Sequence, residues 1–262
     1  KLAIMSYYLS EEMFITQYPE ELEKMLNVLT ETHPKQGDVK LMAADFYMET
    51  RNYREAYYQL NDYLELKDGN YPIYMQTIML ANAAAMNEEL IRITEQALKD
   101  YPDSTDLRFF RGIGLYEEGR YEELVENFEK VSFDAYSSGE YAIQSNMLYA
   151  EALYRLEKYQ RSDSVFEHLI REDTGNYMVL NNYSYYLAER GEKLEQAREW
   201  SRQVITNHPD NFTYLDTYAW VLYKLRRYED AEKYILEALD KGGSNDPEVN
   251  EHAGDIQMAL ES

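Results

Sequence analysis

Residues Phe212–Asn245 read FTYLDTYAWVLYKLRRYEDAEKYILEALDKGGSN, and residues Tyr177–Asn211, just before them, read YMVLNNYSYYLAERGEKLEQAREWSRQVITNHPDN. In the later stretch Tyr218, Ala219, Leu222 and Leu225 recur at helical spacing, so residues 213–225 form one amphipathic helix. Arg226-Arg227 closes it. Tyr228 opens a second helix in which Ala231, Ile235 and Ala238 share a face, and Gly242-Gly243 ends it. A turn this short makes the two helices antiparallel. Ala219 and Ala231 are small because the backbones cross closely there, and Tyr228 fills the gap beside the turn. One such pair cannot cover its own apolar faces and must stack on others like it.

The others are present along the chain. The small or apolar residue three positions after the start of the second helix recurs as Leu22, Ala56, Leu90, Leu124, Ser162, Ala197 and Ala231, at steps of 34, 34, 34, 38, 35 and 34. The residue that starts that helix is Tyr53, Tyr121, Tyr159 or Tyr228, with Leu194 in the same role and Asn87 in a weaker unit. Pro34, Pro102 and Pro209 follow at a fixed distance, in the turn between units. A mostly small residue precedes on the first helix: Ser10, Ala44, Ile78, Gly112, Ala150, Ser184 and Ala219, then Gly254 beyond the last full unit. A period of this length, held in four columns, marks an array of repeated helix pairs.

The columns resemble those of the tetratricopeptide repeat (TPR) family, over nearly the whole chain. The resemblance implies an all-α, right-handed superhelical solenoid of antiparallel helix pairs, with about seven repeats and one further helix, in a single domain spanning residues 1–262. Two features depart from the family pattern. The column that holds Trp in the family is Ser6, Lys40, Tyr74, Arg108, Asn146, Leu180 and Leu215 here, and the 71–104 unit is weak. The 38-residue step adds four residues near 135–140, AYSSGE, a loop with turn chemistry and the place for a hinge between 1–134 and 141–262. The 35-residue step adds one residue at Glu192-Lys193, inside a turn.

Composition narrows the function. The chain has 262 residues, with 49 Asp and Glu against 26 Lys and Arg, a net charge of −23. A surface that acidic repels phosphodiester backbones, which argues against nucleic acid as a partner. Apolar residues make up 45%, enough for a core, and no run is long enough to cross a membrane. Cysteine is absent, which removes disulfides, thiolate metal sites and thiol nucleophiles. The four histidines, His33, His168, His208 and His252, include no pair at the spacing of a helical zinc site. No nucleophile elbow or phosphate-binding loop occurs, and the GIG at 112–114 lies within a helix. Neighbouring carboxylates such as Glu122, Glu126 and Glu129 follow from the sheer number of acids and read as a solvated helix face. The chain therefore reads as a non-enzyme with no cofactor and no metal.

In the family, first helices line a concave face. Positions one and four after, and three before, the small residue of each first helix would point inward. With Asn182 added as the amide beside Asn181, they supply the candidate partner-binding residues Phe109, Tyr116, Met147, Tyr154, Asn181, Asn182, Tyr185, Asp216, Trp220 and Tyr223. Tyr and Trp suit a peptide groove because each joins a broad apolar face to a hydrogen-bonding tip. Paired amides suit the uncharged peptide backbone, which needs both donors and acceptors. The same rings would equally serve packing between helices, since 27 tyrosines must be accommodated. The basic clamp with which some TPR proteins hold a chaperone carboxylate is missing: Leu41, Asp45, Met75, Met79, Phe109 and Ile113 stand there. The resemblance thus implies a protein-interaction scaffold for a neutral or basic peptide or protein. The alternatives are a structural or oligomerising subunit of an envelope complex and, less favoured, a carbohydrate-binding or helical glycosidase-like protein. Tyr-rich, Cys-free TPR chains resemble those of bacterial envelopes, which favours periplasm or envelope over cytoplasm.

Both ends carry expectations. Residue 1 is Lys rather than Met, so the chain reads as a processed or excised form. Residues 246–262, DPEVNEHAGDIQMALES, match the first helix of a further unit, with Ala253, Ile256, Ala259 and Leu260 facing the 212–245 unit. Truncation at this helix, with weak self-association through it, is the expectation.

Overall fold

The computed structural model describes residues 5, 7, 8, 12–67 and 69–261. Ser6, Ser10 and Glu11, which the repeat assigns to the first helix of the array, lie outside them. Among the described residues the regular structure is entirely helical. The α-helices are α1 (Glu12–Gln17), α2 (Pro19–Thr32), α3 (Gly37–Glu49), α4 (Tyr53–Leu66), α5 (Tyr71–Ala83), α6 (Asn87–Asp100), α7 (Thr105–Glu117), α8 (Tyr121–Phe128), α9 (Ala142–Arg155), α10 (Tyr159–Glu172), α11 (Tyr177–Arg190), α12 (Leu194–Asn207), α13 (Phe212–Lys224), α14 (Tyr228–Asp240) and α15 (Pro247–Glu261). Short 3₁₀ turns occupy Phe133–Tyr136 and Gly243–Asn245.

Two compact units result, Lys1–Ala152 and Leu153–Ser262, with the division inside α9; the 135–140 segment belongs to the first. Within each, successive helices pair and stack as the columns require. Ala44, Ala56, Ile78, Leu90, Leu124, Ala150, Ser162, Ser184, Ala197, Ala219 and Ala231 are each at most 1% exposed. At Gly112 a Cβ would stand 2.9 Å from the Phe128 ring, so nothing larger fits between α7 and α8 without displacement. Gly254, the last of the column, is exposed, because no second helix lies against α15 among the described residues. The missing family Trp is replaced in three units by buried polar side chains that find partners. Lys40 Nζ lies 2.6 Å from Asp62 Oδ2. Arg108 donates to the carbonyls of Asn127 and Pro102 at 3.0 and 2.6 Å. Asn146 donates to the carbonyls of Tyr136 and Ala142 at 3.0 and 3.1 Å.

Helix ends follow two rules. Five first helices are capped by a side chain that accepts from the third backbone N–H beyond it: Asn70 for α5, Ser104 for α7, Asn176 for α11, Asn211 for α13 and Asp246 for α15, whereas α3 has no such cap. The second helices α4, α6, α8, α10, α12 and α14 begin instead after a left-handed residue in the turn, whereas α2 does not. That residue is Arg51, Ala85, Gly119, Glu157, Gly191 or Arg226, with φ between 50° and 68°. The inserted residue near Glu192 yields a second left-handed position, Lys193, with φ 44°. Left-handed backbone costs a residue with a Cβ roughly 1–2 kcal/mol. At Gly191 (φ 68°) no neighbouring atom lies within 4 Å of where a Cβ would go, so Gly191→Ala isolates that conformational cost. Gly191→Ala should destabilise by about 1 kcal/mol, and Glu157→Gly, at φ 58°, should stabilise by about 0.5 kcal/mol. Equal denaturant midpoints for both variants and the parent chain would exclude this reading.

Candidate functional site

The ten residues expected to form a groove fall into the two units, and each set is described by itself. In the first unit Phe109 is half-buried, its ring stacked on Tyr141 at 4.7 Å and 11°. Tyr116 is half-buried and meets Tyr121 edge-on at 5.5 Å. Met147 is buried. These side chains spend much of their surface on packing between neighbouring helices.

In the second unit the structure draws the expected residues together. An unbroken run of ring contacts crosses it. Tyr159 meets Tyr154 (5.4 Å), Tyr154 meets Tyr186 (4.3 Å), and Tyr186 meets Tyr185 (5.6 Å). Tyr185 approaches the His252 ring (6.3 Å), which lies flat on Trp220 at 3.9 Å and 13°. Trp220 stacks on Tyr223 (4.8 Å, 10°), and Tyr223 meets Tyr228 (5.7 Å). Tyr154, Tyr185 and Tyr223 are half-buried, each keeping part of its ring in solvent, as is Asn182.

Like Met147 in the first unit, three of the expected groove residues of the second unit are not open. Asn181, Asp216 and Trp220 are 4%, 5% and 6% exposed, so they do not line a free face. The physical reason at Asp216 and Trp220 is α15. It packs through Val249 and Ile256 against the core of α13 and α14, with Ala253 and Leu260 alongside, and lays His252 over α13. The His252 imidazole Nδ1 is 2.9 Å from Asp216 Oδ1. Glu248, one turn earlier, accepts a short hydrogen bond from the Tyr185 hydroxyl. Of the large apolar side chains on α15, Met258 remains exposed. Asn181 donates from Nδ2 to Asn182 Oδ1 at 3.4 Å, while its own buried Oδ1 has no hydrogen-bond partner.

Several residues that complete this site carried no sequence signal. Glu189 Oε1 accepts from the Trp220 indole Nε1 at 2.7 Å and lies 3.7 Å from Lys224 Nζ, which stands 4.4 Å over the Trp220 ring. Trp220 is therefore held on its edge by a carboxylate and on its faces by π and cation contacts. Arg190 lies 4.8 Å above the Tyr159 ring and donates to Asp163 at 2.7 Å. Glu189 and Arg190 are adjacent at the end of α11, so one helix turn directs both the acid and the base at the aromatic run.

The electrostatics around His252 give a pH dependence with a definite sign. Burial works against its imidazolium, but the Asp216 hydrogen bond and charge, with Glu248 and Glu189 behind, outweigh burial and raise its pKa above 6.5. Asp216 is also raised, first by burial and against the pull of His252, with Glu248 and Asp246 adding to the rise. Burial, then Glu248, lifts the Tyr185 hydroxyl far above its usual range, so it stays protonated throughout. A raised histidine contributes stability that is fully present below 6.5 and is lost as pH climbs through the higher folded value. The melting temperature of the second unit should fall as pH rises above 6.5, and His252→Gln should flatten that slope. Parallel pH profiles for the two proteins would count against the pair.

This geometry, with its fixed period, defines an all-α array of stacked antiparallel helix pairs, and the fold is similar to that of tetratricopeptide repeat (TPR) proteins. No protein-family model matches the chain. A TPR repeat-containing protein of Pseudomonas aeruginosa is 26% identical over 202 residues, which is 75% of this chain and 33% of that protein. The chain thus spans about a third of that relative's length. A solved tetratricopeptide repeat protein from Parabacteroides merdae superposes with a TM-score of 0.66 at 14% identity, over 97% of this chain and 98% of that one. YrrB, described as a TPR protein with an unusual peptide-binding site, superposes with a TM-score of 0.54 at 16% identity, over 74% of this chain and 97% of its own. The fold is that of TPR proteins. Among the described residues no group of His, Cys, Asp and Glu could hold a metal ion, and no helix is long and apolar enough to cross a membrane.

Proposed function

We propose that this protein is a non-catalytic scaffold that binds a neutral or basic peptide segment of another protein along the aromatic run of the second unit. The observation that carries the reading is the run itself: contiguous rings from Tyr159 to Tyr228, several half-exposed, bordered by Glu189 at Trp220, Glu248 at Tyr185 and Asp255, whose charge acts on Tyr223. Half-exposed tyrosines offer large contact area at low entropic cost together with hydroxyl tips for a peptide backbone. The bordering carboxylates favour Lys or Arg in the ligand and repel acidic segments. The peptide-binding site named for YrrB is consistent with this use of the fold.

The test is selection of a random peptide library on the protein, followed by calorimetry with the enriched sequence. Enriched peptides should be neutral or basic and carry apolar side chains. Tyr185→Ala combined with Tyr223→Ala should weaken binding at least tenfold while far-UV circular dichroism stays unchanged. Retained affinity in that variant would remove the aromatic run as the site.

A second reading, assembly through an end of the array, draws on α2. There Met25 and Val28 are 46% and 59% exposed. They flank a cavity of about 600 Å³ whose lining includes Met5 and Leu29. Sedimentation velocity of the chain and of Met25→Glu, Val28→Glu distinguishes it, since a self-associating chain would become monomeric in the variant.

A further inference from the structure

The residue inserted in the turn between α11 and α12 reaches across to α10. Lys193, at φ 44°, places its Nζ 2.8 Å from Glu167 Oε1 and 3.4 Å from the Tyr183 hydroxyl. Beside this contact an open groove of about 460 Å³ lies between α10 and α12, lined by Glu167, Ile170, Arg171, Lys193, Gln196 and Trp200. Trp200 is half-exposed, and its ring leans on Tyr183 at 5.5 Å and 31°. Tyr183 stacks in turn on Phe166 at 5.1 Å and 9°, so the indole has a rigid aromatic base. In three other units the matching position of the second helix holds Ile93, Asn127 or Val165, and each is buried. Here a large ring stays partly uncovered where those units close over.

The lining holds more hydrogen-bond donors than the protein uses. Among the described residues the Arg171 guanidinium, the Gln196 amide and the Trp200 indole N–H have no hydrogen-bond or ion-pair partner, and none of them is sealed from solvent. Guanidinium and indole nitrogens can only donate. The lining also carries two cations, Arg171 and Lys193, against one carboxylate, Glu167. That carboxylate is already engaged: the Lys193 hydrogen bond, against burial and with help from the Lys193 charge, the Tyr183 hydroxyl and the Arg171 charge, holds it below the usual glutamate range. On a chain of net charge −23 this groove is therefore locally positive. Glu172 and Glu199, next in sequence to Arg171 and Trp200, are not part of its lining.

Three kinds of occupant can be weighed. A cation would meet Arg171 and Lys193 and leave every free donor unpaired. A nucleic acid needs a row of cations along its backbone, and one groove on an acidic chain does not supply it. An acidic peptide segment uses each wall: a carboxylate accepts from Arg171 and Gln196, and an apolar neighbour covers Ile170 and the open face of Trp200. We infer that this groove docks a segment of a partner protein in which an Asp or Glu side chain stands beside an apolar residue. None of the six lining residues belongs to the aromatic run, so the two sites stand or fall separately.

Selection of a random library of C-terminally amidated peptides on the full chain carrying Tyr185→Ala and Tyr223→Ala tests it. That background disables the aromatic run, and amidation leaves only side-chain carboxylates to be recognised. Enriched peptides should pair Asp or Glu with an apolar neighbour, and replacing the acid by its amide should weaken binding about tenfold in fluorescence polarisation. Arg171→Glu should weaken it more than tenfold and Trp200→Ala about tenfold, and added salt should lower the affinity. Arg171 is exposed, so its variant keeps the fold and the test remains informative if Trp200→Ala loosens α12. Sedimentation velocity of the parent chain and of Arg171→Glu identifies a different occupant: self-association lost in the variant would give the groove to a second copy and overturn the assignment. Failure to enrich acidic peptides, or unchanged affinity in Arg171→Glu, overturns it as well.

Discussion

Trp220→Ala should lower the stability of the second unit by about 3–5 kcal/mol, the range for removing a buried aromatic side chain. The size follows from how much converges on that ring. It is 6% exposed, carries His252 flat on it at 3.9 Å and Tyr223 at 4.8 Å, and donates to Glu189 at 2.7 Å. Truncation leaves a cavity, frees Lys224 from its π partner and removes the platform on which α15 rests. In a stacked array a terminal helix depends on the single interface beneath it, so loss of that platform should release α15 before the rest unfolds. Urea denaturation followed by far-UV circular dichroism measures the loss, and hydrogen exchange along 247–261 shows whether α15 opens first. Trp200, half-exposed on α12, is the internal comparison and should cost markedly less on truncation. A loss for Trp220→Ala no larger than that of Trp200→Ala would show that α15 is held by other contacts.

Much of this arrangement was legible in the sequence, for identifiable reasons. The crossing of paired helices allows no side chain beyond the smallest in many units, so Ala44, Ala56, Ala150, Ala197, Ala219 and Ala231 announce the period, and each is at most 1% exposed. The opening aromatics, with Leu194 in the same role, fixed the second helices to the residue: Tyr53, Tyr121, Tyr159, Leu194 and Tyr228 are each the first residue of theirs. The left-handed turn column was not legible, because Arg51, Ala85, Glu157 and Arg226 adopt it without the glycine that marks it elsewhere. The inward stripes were partly misleading. They treat a first helix as having a free inner face, whereas the next first helix covers part of it, so Asp216 and Trp220 are shielded by α15. The pairing of His252 with Asp216 spans 36 residues and occurs in one unit alone, so no column could reveal it. The 38-residue step signalled an irregularity near 135–140, but the shortening of α8 and the burial of Tyr136 emerged with the structure.

Arg190→Ala should cost about 3–5 kcal/mol, as removal of one member of a buried ion pair does. The Arg190 side chain is 8% exposed and that of Asp163 18%, with 2.7 Å between Nη2 and Oδ1. The guanidinium also lies over Tyr159 at 4.8 Å and Tyr154 at 5.9 Å, contacts that an ammonium on a flexible stem reproduces poorly. Its Nε and Nη1 have no hydrogen-bond partner, so the group is stabilised chiefly by charge and ring contact, with Glu192 at 3.5 Å as a second acid. Arg190→Lys should fall between the parent and Arg190→Ala. Removing both charges with side chains of similar bulk, Arg190→Met with Asp163→Leu, should recover most of the loss, because the penalty in the single variant is the stranded carboxylate rather than the missing attraction. Lys193 and Glu167 provide the contrast: their side chains are 48% and 42% exposed at 2.8 Å. Lys193→Ala should cost no more than about 1 kcal/mol, the upper range for an exposed pair. Chemical denaturation of the four variants decides the matter. If Arg190→Ala and Lys193→Ala lose the same stability, or the double replacement fares no better than Arg190→Ala, the pair with Asp163 is not what holds α11 against α10.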